Sequence, residues 1–363
     1  MDPTVPVRSA ILKRALIDPR EVWGSNGMSL WVPFADQWRD RLLQGNGLDD
    51  PGNLLPDGLL RLRGIDPYSQ MVAQLRTRFE VLVFAYDWRL SIHVSARRLR
   101  ERVIQWLGND LEDPNDDARV SVVAHSMGGL VARMLVEGAD GYRWIRQLIM
   151  VGTPHLGSVT AYTHFHGITQ SFAQRVDLTS AKWLLQMIWE RGARALPRRV
   201  ILPLLLPRAH QRVLAQSWAG GMQMLPQFDF VRRGDGFEPL TDTLDGMLHP
   251  PTQTPIRQIM DLLLRGLRDE RKLNAWLTQV GVRYETIAAT ELPTLQAFDP
   301  NSLALIKTSA GDGVVPLHSA HLPPGCAIGN VTETGVVHQR LLENARLQAH
   351  VVRHLTTQRS VTR

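Results

Sequence analysis

Apolar and polar positions along the chain follow two alternating rhythms. Residues 79–86, FEVLVFAY, form a short apolar run rich in valine and aromatics, closed by the polar DWR, and predict a buried strand. SARRLRERVIQWL (95–107) follows with apolar positions three and four apart and predicts a helix. ARVSVVAH (118–125) predicts a second buried strand, and GGLVARMLVEG (128–138) a helix ending on glycine. IRQLIMVGTP (145–154) predicts a third strand, stopped by glycine and proline. Strands alternating with helices predict an α/β fold with a mostly parallel sheet flanked by helices.

From about 158 to 275 this rhythm stops. The span holds Trp183, Trp189 and Trp218, many Leu and Met residues, and repeated prolines. It predicts a helical insertion, which reads either as a small core of its own or as a cover over something. The sheet resumes with VRYETIAAT (282–290), and HQRLLENARLQAHVVRHL (338–355) predicts a periodic final helix. The chain therefore divides into a first core part at 1–157, a helical lid or cap at 158–275 and a second core part at 276–363. The sequence carries no internal repeat and no low-complexity segment.

Composition narrows the function classes. The 363 residues are 44% hydrophobic and 21% charged, ordinary for a globular chain with a large core. Lys and Arg number 41 against 35 Asp and Glu, a net +6. The excess is dispersed, as in RLRERV and RGARALPRRV, without the concentrated stripe or module that nucleic-acid binding needs, so no nucleic-acid partner is expected. Cys326 is the only cysteine, which removes an intrachain disulfide and a Cys-based zinc site. The start, MDPTVPVRSAILKRALIDPR, has no apolar run of signal-peptide length. VILPLLLP (200–207) is too short for a bilayer and is broken by Pro203. These features predict a cytoplasmic protein that at most touches a membrane surface, although unconventional export would leave the same sequence.

The candidate chemistry sits in VSVVAHSMGGLVARML (120–135), where Ser126 falls at the seam between a strand and a helix. That setting matches a nucleophile elbow, a sharp turn that exposes a serine hydroxyl. Close strand–helix packing there asks for small residues two before and two after the serine, and Ala124 and Gly128 occupy those places. Small-x-Ser-x-Gly is weak by itself; the strand–helix setting gives it weight.

A serine nucleophile needs a base and an orienting acid, which follow it in the order acid, histidine. SAGDGVVPLHSA (309–320) sets Asp312 between two glycines. Such flanks suit a loop presenting a carboxylate and suit an Asx turn equally, and the pattern leaves both open. His338 opens the final helix at a loop junction, whereas His350 and His354 read as decoration of the helix faces. His318 and His321 lie too near Asp312 in sequence to be preferred, and the His125 side chain should point away from the reacting side of Ser126. Ser126, Asp312 and His338 form the preferred triad.

Together these stretches resemble the lecithin:cholesterol acyltransferase family of α/β hydrolases, in a bacterial-type form. YDWRLS (86–91), AHSMGGLVAR (124–133), VGTPHLGS (151–158) and GDGVVPLHS (311–319) carry the likeness in the family's order. VWGS (22–25), SWAGGMQMLP (217–226) and TGVVHQRLLEN (334–344) add weaker agreement, so the likeness covers roughly residues 20–355. It implies an α/β-hydrolase fold with Ser126 as nucleophile, Asp312 as acid and His338 as base. It also implies that the Met127 backbone N–H faces an oxyanion, that Trp88 lies near the acyl-binding region, and that Asp87 and Arg89 hold their loop together. The departure is near the start. The family ends its first strand in a Pro-Gly turn, but VRSAILKRALID (7–18) offers Ser9-Ala10-Ile11, making Ile11 the nominal second oxyanion donor. Losing such a donor costs about 100- to 1000-fold in turnover.

The resemblance implies a lipid ester acyl hydrolase (lipase- or phospholipase-like) or an O-acyltransferase, working without metal or cofactor. Hydrolysis is favoured because no acceptor signature is recognisable. The rivals are a soluble small-ester hydrolase or thioesterase, and a catalytically weakened lipid-binding or interaction protein on the same scaffold. The expected partner is the lipid or ester substrate, with transient membrane-surface contact through lid segments such as WLLQMIW (183–189). At helical spacing those side chains read first as core. No protein partner is implied.

Overall fold

The computed structural model describes residues 66–108 apart from 89, 119–165, 219–240, 267–322 apart from 269 and 303, 326, and 329–357. Helices α1 (Ser69–Arg76) and α2 (Ile92–Leu107) precede β1 (Val120–His125), and α3 (Met127–Gly138) leads from β1 to β2 (Ile145–Val151). Next come α4 (Val159–Phe165), α5 (Ala219–Met222), strands β3 (Val231–Arg233) and β4 (Gly236–Glu238), and α6 (Glu270–Val280). Strands β5 (Arg283–Thr290), β6 (Thr294–Asp299) and β7 (Ala304–Thr308) lead to α7 (Leu317–Ala320) and β8 (Gly329–Thr334). A 3-10 turn (His338–Glu343) and α8 (Ala345–Thr357) close the order.

The main sheet runs β1-β2-β5-β8, and all three pairings are parallel. Its strands are in near-continuous register: His125 pairs Val151, Val151 pairs Ile287, and Thr290 pairs Thr334. The carboxyl ends therefore line up along one edge, where α/β sheets place their sites. A parallel sheet needs cover on both faces. On one face Leu148 and Met150 of β2 and Tyr284 of β5 pack with α2, α3 and α6. On the other, Ile149, Val151, Ile287 and Ala289 pack with α1 and α8. This is the layered architecture of an α/β hydrolase.

A second sheet, β4-β3-β6-β7, is mostly antiparallel. Its one parallel pairing, Val231 with Phe298, joins the 158–275 span to the second core part. Buried Tyr162 packs edge-on against Phe230 beneath it, with ring centroids 4.8 Å apart. The described residues of 158–275 thus include a β-hairpin alongside short helices. The remainder of the expected lid, WLLQMIW included, lies outside the described residues.

Residues 79–86 differ from the predicted strand. Phe79 and Val81 pack toward α1 and α8 while Phe84 and Tyr86 pack toward α2 and α3, so the period of two holds. Among the described residues no ladder pairs this stretch with β1, however, and it is not a strand. Side-chain alternation satisfies both core faces, but a strand also needs backbone partners. Helix α2 begins at Ile92 rather than 95, because the Ser91 hydroxyl caps it by accepting the Val94 N–H at 3.3 Å. The predicted single helix 338–355 is two elements. Asn344 interrupts it, its side-chain oxygen accepting the N–H groups of Arg346 and Leu347 at 3.0 and 3.1 Å to start α8 afresh.

Candidate active site

Turns at the carboxyl ends of β1 and β8 in the main sheet, and the loop after β7 of the second sheet, build the site. At the end of β1 the Ser126 N–H donates to the Val151 carbonyl at 2.8 Å, the last bond of the β1–β2 pair. The chain then reverses directly into α3, with Ser126 at φ 54° and ψ −133°. A non-glycine residue in that region stores roughly 1–3 kcal/mol of strain, which the surrounding ladder and helix hold in place. Ser126 stands at the cap position of α3, yet its hydroxyl caps nothing. It lies 2.9 Å from His338 Nε2 instead.

Of the two glycines at this turn, Gly129 makes the tighter approach, rather than the Gly128 named by the pattern. A Cβ added to Gly128 would meet Tyr86 at 3.6 Å and Ala124 at 3.9 Å, ordinary contacts. One added to Gly129 would fall 1.9 Å from Thr153 Oγ1. The close approach of α3 to the loop after β2 is therefore made at Gly129.

Asp312 is fixed by its own loop. Its Oδ1 accepts the N–H groups of Val314 and Val315 at 3.0 and 2.8 Å, so the Asx turn and the presented carboxylate coexist in one residue. Oδ2 remains for His338 Nδ1, 2.7 Å away. Thr294 Oγ1 accepts the Gly313 N–H at 2.8 Å, and Leu292, just past β5, bridges to Asp312. Two serines tie this loop to the VGTPHLGS segment: Ser319 donates to the Gly157 carbonyl at 2.6 Å, and Ser158 donates to that of Val314. His155 N–H adds a bond to the Ser319 carbonyl at 2.8 Å. The two stretches form one interlocked unit.

His338 follows β8 and opens the 3-10 turn, with its N–H donating to the Asp312 carbonyl at 3.0 Å. Its ring lies over Gly152, which has φ +60° and where a Cβ would come within 3.1 Å of the ring and 2.7 Å of Leu341. Both Asp312 and His338 are buried. A carboxylate only accepts, so Nδ1 carries the imidazole proton and Nε2 accepts from the Ser126 hydroxyl.

His125 backs this arrangement from behind, a role that its neighbourhood in sequence did not suggest. Its Nε2 lies 3.0 Å from the His338 carbonyl and its Nδ1 lies 3.1 Å from the Tyr68 hydroxyl. The carbonyl only accepts, so Nε2–H donates and Nδ1 accepts from Tyr68. Burial, followed by the charge of His338, pushes the His125 pKa down to about 3, while burial pushes Tyr68 up to about 12. Both are neutral near pH 7.

Deeper in α3, Arg133 pairs with Glu137 at 2.8 Å, both buried, and Tyr284 donates to Glu137 at 3.1 Å. His155 lies 3.3 Å from Arg133, and burial with that neighbouring charge pushes its pKa well down.

Met127 begins α3, so its N–H has no acceptor within the helix. Trp88 is half-buried and packs between the core beside α3 and the core beneath the second sheet. Gly220 of α5 passes so close that a Cβ there would fall 2.2 Å from the Trp88 carbonyl and 2.7 Å from the Met127 side chain. Helix α5 therefore rests beside the serine turn. Ile11 lies outside the described residues. Among the described residues no helix is long and apolar enough to cross a membrane.

A family model described as a domain of unknown function, DUF7379, matches residues 63–233, which hold the serine turn but neither Asp312 nor His338. The uncharacterized protein YJR098C of Saccharomyces cerevisiae is 33% identical over 135 residues, a stretch covering 34% of this chain and 20% of that protein. Among solved structures, a chain of the Tle4–Tli4 complex is 16% identical with a TM-score of 0.44, covering 88% of this chain and 77% of that one. The lipase BlEst2 of Bacillus licheniformis is 14% identical with a TM-score of 0.30, covering 74% of each chain. Phospholipase PlaB of Legionella pneumophila is 12% identical with a TM-score of 0.36, covering 70% of this chain and 42% of that one. At such identities and scores, the chemistry is read from the side chains themselves.

Proposed function

We propose that this chain is a serine-dependent acyl hydrolase acting on lipid esters. The supporting observation is the hydrogen-bonded run from half-buried Ser126 Oγ to buried His338 and Asp312, with links of 2.9 and 2.7 Å, at a turn strained to φ 54°. Its geometry suits proton removal from a hydroxyl that projects from a strand end.

His338 Nε2 takes the Ser126 proton as Oγ attacks the ester carbonyl carbon. Asp312 holds the Nδ1–H and stabilises the imidazolium. The Met127 N–H, with Ile11 as nominal second donor, receives the oxyanion. Collapse expels the alcohol, which takes the proton from His338. Water then adds to the acyl-enzyme with His338 again as base, freeing the fatty acid and Ser126. An alcohol in place of water would make the same cycle an acyl transfer. The lipid assignment rests on the motif resemblance to the lecithin:cholesterol acyltransferase family and on the apolar 158–275 span, read as a lid that meets lipid surfaces. Trp88, beside the serine turn, is assigned to the acyl tract.

A fluorophosphonate probe tests the reaction class. The wild type is expected to label and Ser126→Ala not to; an unlabelled wild type defeats the reading. Purified protein offered phospholipid, triacylglycerol and short-chain esters tests the substrate. Turnover of the short esters only would assign a small-ester hydrolase instead.

A further inference from the structure

On the sheet face covered by α8, a polar cluster stands apart from the serine site. Glu285 of β5 is fully buried, and its ion-pair partners are two histidines of α8. Oε1 lies 2.5 Å from His350 Nε2 and Oε2 lies 3.0 Å from His354 Nδ1. We propose that Glu285, His350 and His354 form a binding site for a divalent transition metal of the zinc class, clamping α8 to the central sheet.

The ligand atoms converge. One from each residue can be chosen so that all lie within 4.8 Å of one another. Histidines four apart share one helix face, the spacing by which helices chelate zinc. Two imidazoles and a carboxylate form a donor set that zinc accepts at about 2.0–2.2 Å, with water as fourth ligand. Bonds of that length require the 2.5 Å gap to open by about 1 Å and the wider spacings, up to 4.8 Å, to close by up to about 1.5 Å, movements made by side-chain torsions of the two histidines. The histidine side chains are 20% and 35% exposed, so both metal and water have a route from solvent.

Ion pairing with the histidines alone leaves this cluster poorly satisfied. Oε2 is shut off from solvent, and its contact with His354 lacks hydrogen-bond geometry. A buried carboxylate oxygen left this way is costly. The imidazoles stack with centroids 4.2 Å apart and planes 28° from parallel, so both rings stand side by side against the one carboxylate. A metal accepts both rings as neutral ligands and supplies the positive charge that Glu285 needs. Opposite Glu285 in β8 stands Gly329, which places no side chain over the carboxylate. The clamp has a structural consequence, because α8 follows directly on the turn that carries His338.

The test uses chelator-stripped full-length protein titrated with Zn²⁺ or Co²⁺. About one equivalent of zinc should survive desalting and raise the unfolding midpoint by about 5 °C. Co²⁺ should give the visible absorption of a four-coordinate site and be displaced by Zn²⁺, a readout on the wild type that needs no variant. His350→Ala and His354→Ala should each lose retention and shift, and His338→Ala should keep both. Failure of the wild type to retain zinc, or equal retention by the His350 and His354 variants, overturns the site.

Discussion

His125 Nε2 donates to the backbone carbonyl of His338 at 3.0 Å, so one histidine holds the peptide that carries the other. Replacing it removes that donor and also the acceptor of the Tyr68 hydroxyl. Each buried group left unpaired costs about 1–3 kcal/mol. His125→Phe should therefore lower unfolding stability in urea by about that amount or more. It should also slow fluorophosphonate labelling of Ser126 while leaving the serine present.

The same burial sets an acid limit. His125 has a folded pKa of about 3 against an ordinary 6.5, so between these values the unfolded chain binds more protons than the folded one. The stabilising effect of its neutrality is complete above pH 6.5 and lost as pH falls toward 3, with a slope of up to about 1.4 kcal/mol per pH unit. Denaturation midpoints measured across that window should fall with pH, and His125→Phe should flatten the fall.

Gly129 and Gly128 should separate cleanly. Gly129→Ala drives a methyl group into Thr153 and should cost about 1–3 kcal/mol in chemical denaturation. Gly128→Ala makes only ordinary contacts and gains helix propensity, so it should be neutral or stabilising by up to about 1 kcal/mol.

Asp312→Asn keeps the shape of the loop but removes the group that fixes the Nδ1 proton. By the general behaviour of serine triads it should lower kcat by about a factor of 10,000 with the fold intact. Steady-state hydrolysis of whichever ester the substrate panel selects, alongside circular dichroism, reads both quantities.

Much of this was legible in the chain. Strands β1, β2 and β5 announced themselves as apolar runs because both faces of a parallel sheet are covered, and the predicted boundaries fall within a few residues of those observed. The association of Ser126, Asp312 and His338 was legible as an order of motifs. Residues 79–86 show the limit. Their alternation is set by side chains, whereas ladder membership depends on backbone neighbours that no local pattern encodes. Short strands such as β3, of three residues, fall below any periodic signal. Gly129 was missed because its need arises from Thr153, a contact made only after folding, and His125 because its partners, Tyr68 and His338, are remote in sequence.

The hydroxyl of Ser158 reaches Val314, and that of Ser319 reaches back to Gly157, each across more than 150 residues of chain. Contacts so distant in sequence form late, after the entropy of closing long loops has been overcome. On the proposed reaction, labelling of Ser126 should therefore act as a clock for assembly. During refolding, labelling of Ser126 should rise with the slowest phase, well after the helices have formed.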